Sequence, residues 1–271
     1  MKITFSKYHG LGNDFLLMDD TDGHLLGSLQ EERIRALCDR HTGIGADGIL
    51  VRAVSAYADQ RMVLFNADGS PAEISGNGLR CFGLYLRERG YNTVGEFSVE
   101  TGGGIQRVKL AGENIVESTM PTPHFEGGGR PVLLDLEAKD LTFKVCPVSV
   151  GNPHGVIFGP ERDIPFAETY GPVLEKHAAF PAGANIEFVK VMSPTECRLV
   201  VWERGAGITL ACGSGSVATA AAGAALGHFA FDQPIAVQQP GGTLEITVAA
   251  EFREIRQRGP AELVFKGEAE I

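Results

Sequence analysis

The sequence predicts an α+β fold of two similar halves, each combining short strands with one buried helix. Three observations lead there. The first is an internal repeat. Leu210-Ala211-Cys212-Gly213-Ser214-Gly215-Ser216 runs into an alanine-rich helical stretch, and Glu73-Ile74-Ser75-Gly76-Asn77-Gly78-Leu79-Arg80 runs into an apolar one. Setting Ser75 over Cys212 gives an offset of 137, about half of the 271 residues, and lays residues 61–66 over 198–203. Gly12-Asn13 and Gly151-Asn152 match at an offset of 139. Such a repeat constrains architecture before local propensity does. The second observation is that many short apolar runs surround only one buried helix per half, which fits α+β better than a doubly wound parallel sheet. The third is a linker signal, Pro121-Thr122-Pro123 followed by Gly127-Gly128-Gly129, which places the domains at 1–120 and 121–261.

In chain order, residues 3–5 and 14–19 read as strands around an irregular loop, 9–13, whose glycines flank Asn13. Residues 30–39 carry Ile34, Leu37 and Cys38 at helical spacing, with Glu31 and Glu32 suited to the first turn. Strand-like 49–51 and 62–65 precede 79–86, which is apolar almost all round and so predicts a buried helix. Strands follow at 96–101, 106–110 and 115–118. The second half repeats the plan: strand 143–150, turn 151–154, strand 156–158, helix 166–177, strands 186–189 and 198–202, helix 217–226. Residues 244–248 and 263–266 close the chain as strands.

The bulk numbers exclude several classes. With 44% hydrophobic and 21% charged residues the composition is that of a soluble globular protein. A formal net charge of −10 with no Lys/Arg cluster argues against nucleic acid and against an anionic membrane surface. The five cysteines are odd in number and scattered, which predicts a reducing compartment and neither a disulfide framework nor a zinc site. The N-terminus lacks the apolar core of a signal peptide, and 217–226 is too short to span a bilayer, so the expected location is cytoplasmic.

The paired turns carry the chemistry. A helix N-terminus offers unpaired N–H groups and roughly half a positive charge, an anion site suited to a carboxylate. The same field pushes a cysteine towards thiolate from its ordinary pKa of about 8.5. Two such ends flanking one α-carbon could remove a proton from one face and return one to the other, without cofactor or metal. Two other readings of the same residues remain. A cysteine at an Ala/Gly-rich helix start is commonly a small core residue, and Gly213-Ser214-Gly215-Ser216-Val217-Ala218 fits the loose dinucleotide pattern, with Asp232 downstream. Against the dinucleotide reading, residues 205–209 make a poor buried strand. No P-loop lysine, nucleophile elbow or HExxH occurs.

The ordered motifs resemble the diaminopimelate epimerase family. They are Lys7-Tyr8-His9-Gly10-Leu11-Gly12-Asn13-Asp14-Phe15, Gly43-Ile44-Gly45-Ala46-Asp47-Gly48, Phe65-Asn66-Ala67-Asp68-Gly69-Ser70, Gly76-Asn77-Gly78-Leu79-Arg80-Cys81, Gly151-Asn152-Pro153-His154, Asn185-Ile186-Glu187-Phe188-Val189, and Glu203-Arg204-Gly205-Ala206-Gly207 leading to Ala211-Cys212-Gly213-Ser214-Gly215. The resemblance implies two pseudo-symmetric domains, each a strand layer or barrel around a central helix, the first completed by the last strand at about 262–271. It further implies a cleft active site, a small amino-acid substrate, no cofactor, a two-cysteine mechanism and often a homodimer. Carried over by position, Cys212 is one base. Gly76, Asn77, Gly213 and Ser214 cradle the reacting carboxylate. Asn13, Asn66, Asn152, Asn185, Glu203 and Arg204 hold the substrate, and His154 lines the site. A guanidinium suits a carboxylate and a carboxylate suits an ammonium, which agrees with Arg204 and Glu203 in those roles.

One position departs. The family's other catalytic cysteine belongs at Ser75, and a hydroxyl is a poor base and a poor donor to a carbanion. Cys81 lies nearly two turns further along the helix and cannot replace it. The expected function is therefore epimerisation of LL- to meso-diaminopimelate with impaired two-base chemistry. Three readings of Ser75 stay open: a substitution made by design, a natural one-base lyase, isomerase or racemase of another amino acid, and a silent binding paralogue.

Overall fold

The computed structural model of the chain describes residues 2–20, 22–91, 95–125 and 130–270, so the 127–129 part of the linker signal lies outside the described residues. The chain forms two compact units, Met1–Thr119 with Gly259–Ile271, and Met120–Arg258. The chain crosses between them at 119/120 and 258/259, against 120/121 and about 261/262 in the sequence reading.

The first unit contains β1 (Lys2–Gly10), β2 (Asn13–Asp20), α1 (Leu25–Ser28), α2 (Glu31–Cys38), β3 (Gly48–Ala53), β4 (Gln60–Asn66), β5 (Pro71–Ala72), α3 (Gly76–Glu88), β6 (Glu96–Thr101), β7 (Gly104–Leu110) and β8 (Ile115–Met120). The second contains β9 (Leu134–Ala138), β10 (Leu141–Ser149), β11 (Pro153–Phe158), α4 (Ile164–Glu175), β12 (Asn185–Ser193), β13 (Glu196–Glu203), β14 (Gly207–Ile208), α5 (Gly213–Leu226), β15 (Pro234–Gln239), β16 (Gly242–Val248) and β17 (Ile255–Pro260). The last strand, β18 (Glu262–Glu270), returns to the first unit and pairs antiparallel with β1.

The repeat holds at the level of strand pairing. In the first unit β1–β2 is antiparallel, β2–β3 parallel, β3–β4 antiparallel, β4–β6 parallel, and β6–β7–β8 antiparallel. In the second unit β10–β11, β11–β12, β12–β13, β13–β15 and β15–β16–β17 follow the same sequence of senses. In each unit one long helix links the two strands of the second parallel pair. Eleven of the thirteen residues of α3 and eleven of the fourteen of α5 are buried, so each helix is covered on all sides by its own strands. α3 packs on β1, β2, β7 and β18, and α5 on β10, β11, β12, β15 and β16. The shorter helices take the other strand face. Ile34 and Leu37 of α2 pack with Ile49 and Val51, and Ala167 and Leu174 of α4 with Ile186 and Phe188. Strands covered on both faces lose polar/apolar alternation, which is why β2 and β3 read as continuous apolar runs.

Several elements differ from the sequence reading. Residues 9–13 are a tight hairpin, with Leu11 and Gly12 both at positive φ between β1 and β2. His154 lies inside β11, because the turn is over by Asn152. β9, β15 and β17 had no clear signal: β15 opens on proline, and β17 buries a glutamine, Gln257, where a core strand normally shows an apolar residue. α4 starts at Ile164, because the Asp163 side chain accepts from the Phe166 N–H and caps it there. Among the described residues no helix is long and apolar enough to cross a membrane.

Candidate active site

Each unit presents one helix N-terminus, and the two are built alike. Ser75 is the N-cap of α3, with extended backbone (φ −137°, ψ 122°) and its Oγ accepting from the Gly78 N–H at 3.0 Å. Cys212 is the N-cap of α5 (φ −113°, ψ 113°), with its Sγ accepting from the Gly215 N–H at 3.4 Å. Both helices therefore begin three or four residues before their first large apolar side chain. The first-turn amides of Gly76, Asn77, Gly213 and Ser214 lie beyond the helix's own hydrogen-bond ladder, as expected of an anion-binding end.

In the first unit the structure brings Asn13 to this end. Asn77 Nδ2 donates to Asn13 Oδ1 at 3.0 Å, while Asn13 Nδ2 donates to Asp47 Oδ2 at 2.8 Å, so one bond at each end of the Asn13 amide fixes its orientation. Asp47 is held in turn by Arg40, which also makes a two-pronged contact to Asp14, and Lys7 completes the cluster with Asp14 at 2.9 Å. Burial pushes the Asp14 carboxyl up, but hydrogen bonds from Arg40 and Lys7 outweigh it and hold the group below its usual range. Asn66 is held separately at the end of β4, where its Nδ2 donates to Ser70 Oγ at 3.0 Å. Cys81 is fully buried, and burial pushes its thiol up to about 12, which leaves it no part in proton transfer.

In the second unit most of the sequence-derived residues join one network. His154 and Glu187 are fully buried and meet at 2.6 Å (Nδ1 to Oε1), and His154 Nε2 lies 2.9 Å from Asn152 Oδ1. Asn185 donates to the Pro153 carbonyl at 3.3 Å and accepts from the Arg204 N–H at 2.8 Å, tying the start of β11 to the end of β13. Glu203 accepts from Thr209 Oγ1 at 2.5 Å. The Arg204 guanidinium is exposed and donates to the Ala182 carbonyl at 3.1 Å. Ser214 Oγ lies 3.5 Å from Cys212 Sγ.

Four glutamine and serine contacts that sequence reasoning missed brace the cap. Gln239 Oε1 accepts from the Cys212 N–H at 2.7 Å, and its Nε2 donates to Ser216 Oγ, which donates to the Cys212 carbonyl. Gln257 donates to the Gly213 carbonyl at 2.9 Å. Sequence reasoning assigns Glu187 no role of its own. A lone carboxylate in the apolar strand Ile186-Glu187-Phe188-Val189 was the available signal.

The thiol does not behave as the helix end alone predicts. Burial, then Glu203 and Glu187, push Cys212 well above its ordinary value, against the smaller lowering by Ser214 and the Gly215 N–H. The magnitudes explain the order. A helix terminus favours a nearby anion by about 0.3–1 kcal/mol, up to ~2 when partly buried. Full burial alone moves a pKa by up to about 3–5 units, each worth ~1.4 kcal/mol. The resting residue is a thiol, and the expected thiolate is corrected to that extent. The dinucleotide reading also loses its context: β13 ends at Glu203 and only the two-residue β14 intervenes before α5, so no strand feeds the glycine turn directly.

Sequence comparison agrees with this geometry. The sequence profile of diaminopimelate epimerase matches residues 5–125 and 146–264. The diaminopimelate epimerase of Desulforudis audaxviator is 43% identical over 274 residues, covering 97% of this chain and 98% of that one. That of Carboxydothermus hydrogenoformans is 40% identical over 273 residues, with coverage of 97% and 98%. Among solved structures, a PhzF-family phenazine biosynthesis protein of Bacillus anthracis superposes with a TM-score of 0.73 at 18% identity, over 100% of both chains. A hydroxyproline epimerase of Agrobacterium vitis gives 0.72 at 15%, over 99% of this chain and 91% of that one. At those identities the likeness shows a shared fold. From the profile and the full-length relatives, the chain belongs to the diaminopimelate epimerase family.

Proposed function

We propose that this chain performs cofactor-independent α-proton transfer on diaminopimelate at Cys212, and that Ser75 impairs the two-base inversion between LL and meso forms. The observation that carries the reading is the pair of matched caps, alike in backbone and hydrogen bonding, of which only Cys212 bears a titratable thiol. In this reading the substrate α-carboxylate sits on the first-turn amides of Gly76, Asn77, Gly213 and Ser214. Its ammonium sits against Glu203, and Asn13, Asn66, Asn152, Asn185 and Arg204 hold the remainder.

Binding also supplies the ionisation that the resting site lacks. A substrate ammonium on Glu203 neutralises one of the two carboxylates opposing the thiolate. The Cα–H bond then breaks as the S–H bond forms, and the electron pair left on carbon is held beside fixed N–H donors. With a thiol at 75 a proton would come back on the other face. With Ser75 it comes back from Cys212 to the face it left. The five cysteines are all free, which supports a cytoplasmic setting.

The test is proton exchange in deuterium oxide with LL- and meso-diaminopimelate. The unsubstituted chain is expected to label the α-position with retained configuration, and Ser75→Cys to gain interconversion. If Ser75→Cys gains none while another amino acid is turned over, the one-base alternative replaces this reading. Binding without any exchange would mark a silent paralogue.

A further inference from the structure

The Glu187 carboxyl is a buried ionisable group in the second unit. It is fully buried on β12, Oε1 lies 2.6 Å from His154 Nδ1, and Oε2 has no hydrogen-bond partner among the described residues. A buried carboxyl oxygen without a partner is costly, and such groups are uncommon unless they serve the site. Its position has a further consequence. A Cβ placed on Gly215 would stand 3.0 Å from Glu187 Oε1 and 3.3 Å from Cys212 Sγ, so carboxyl and thiol both border the same point on α5.

The proton count follows from the hydrogen bonds. Asn152 presents its carbonyl oxygen to His154 Nε2, so that nitrogen carries hydrogen. One further hydrogen then lies between Nδ1 and Oε1. On Glu187 it leaves both side chains neutral, and on His154 it makes an imidazolium–carboxylate pair of the same net charge. The groups facing Glu187 are His154 from β11, Glu203 at the end of β13 and Cys212 at the head of α5. Glu175 belongs to α4, which packs on the opposite face of β12 through Ile186 and Phe188.

We infer that Glu187 is a positioning residue whose proton, shared with His154, controls how readily Cys212 ionises. When the thiol loses its proton, the hydrogen on Nδ1 moves to Oε1: the N–H bond breaks, an O–H bond forms, and the carboxylate that would repel the thiolate becomes neutral. The inference deepens the proposed function and rests on Cys212 being its base.

The test is a titration of Cys212 by thiolate absorbance, taken as the difference between each protein and its Cys212→Ala form, in the parent and in Glu187→Gln. The other four cysteines are held near 11 or 12 by burial and cancel in the difference. Glutamine keeps a hydrogen for Nδ1 but can never carry the opposing charge. Thiolate is expected about one pH unit lower, roughly tenfold more at a given pH, with the alkaline limb of the exchange rate moving alike. A folded Glu187→Gln that titrates where the parent does overturns the inference. Should Glu187→Gln not fold, nitrogen NMR of His154 in the unsubstituted chain decides. A Nδ1 signal between the protonated and bare limits is expected, and one at either limit, unchanged with pH, overturns the inference. If the titration shifts but no diaminopimelate exchange occurs in either protein, the substrate reading fails and the Glu187 inference stands.

Discussion

In the second unit α4 lies tightly on Trp202 at Gly171. A Cβ at that position would meet Trp202 Cγ at 2.4 Å, Cβ at 2.6 Å and Cδ2 at 2.8 Å. Relaxing the shortest of these to an ordinary 3.4 Å contact needs a shift of about 1 Å. The ring cannot swing freely, because Trp202 Nε1 donates to Glu175 Oε2 at 2.7 Å, and Glu175 Oε1 also accepts from the Gly205 N–H at 3.3 Å. In Gly171→Ala, overpacking costs about 1–3 kcal/mol and a broken hydrogen bond to a charged acceptor ~1.5–3. Replacing glycine inside a helix returns about 1. The net loss is about 1.5–5 kcal/mol, or roughly 3–20 °C in Tm at ~2–4 °C per kcal/mol. Trp202 immediately precedes Glu203 and Arg204, so substrate binding should weaken more than the proton step: KM rises while kcat for exchange changes less. Thermal denaturation and isomer-specific exchange read both effects. Trimming the indole as Trp202→Leu in the Gly171→Ala background should recover part of the Tm, since residues in contact couple. An unchanged or raised Tm in Gly171→Ala, or a double variant no better than the sum of the singles, refutes the reasoning.

Other predictions concern charge and the caps. Because the Asp14 carboxyl is held below its usual range in the folded state, its contribution to stability is present above the unfolded value of about 3.9 and is lost as pH falls through the folded value. Asp14→Asn should therefore flatten the acid limb of stability below about pH 4, and a limb of unchanged slope in denaturant titrations at several pH values would contradict this. Cys212→Ser should abolish α-proton exchange in every isomer; residual exchange at the parent rate would show that another group is the base. In the unsubstituted chain the exchange kcat/KM should climb with pH through the alkaline range, because burial and two carboxylates keep Cys212 a thiol at rest. Gly215→Ala should slow exchange by about tenfold or more by displacing Sγ from its seat, since the new methyl stands 3.3 Å from Sγ and 3.0 Å from Glu187 Oε1. Full activity there would mean the cap has slack that the packing does not suggest.

How far the sequence carried depends on the range of the forces involved. The duplication was legible because equivalent positions keep their spacing, as in Ser75 and Cys212 or Asn13 and Asn152. The two helix starts were legible because an N-cap is a local matter: a side chain at one residue, an amide three residues on, glycines between. The substrate class also came from ordered motifs along the chain, through the family they resemble. The hairpin at Leu11 and Gly12 was less visible, because a leucine at positive φ is tolerated only where both flanking strands hold it. β17 was invisible, because its buried Gln257 answers a carbonyl on α5 and not a local pattern.

By itself, then, the sequence determined the repeat, the paired caps, the mismatch at residue 75 and the set of polar residues to watch. Tertiary structure alone decided what those groups can do. The proton affinity of Cys212 reverses the helix-end expectation because strands distant in sequence strip away water and place Glu203 and Glu187 beside it. His154 becomes half of a proton-sharing pair only because parallel pairing of β11 with β12 sets it beside Glu187. Capping acts over one helical turn and is written in neighbouring residues. Desolvation and buried charge act through whatever the fold places near, and no short stretch of chain records them.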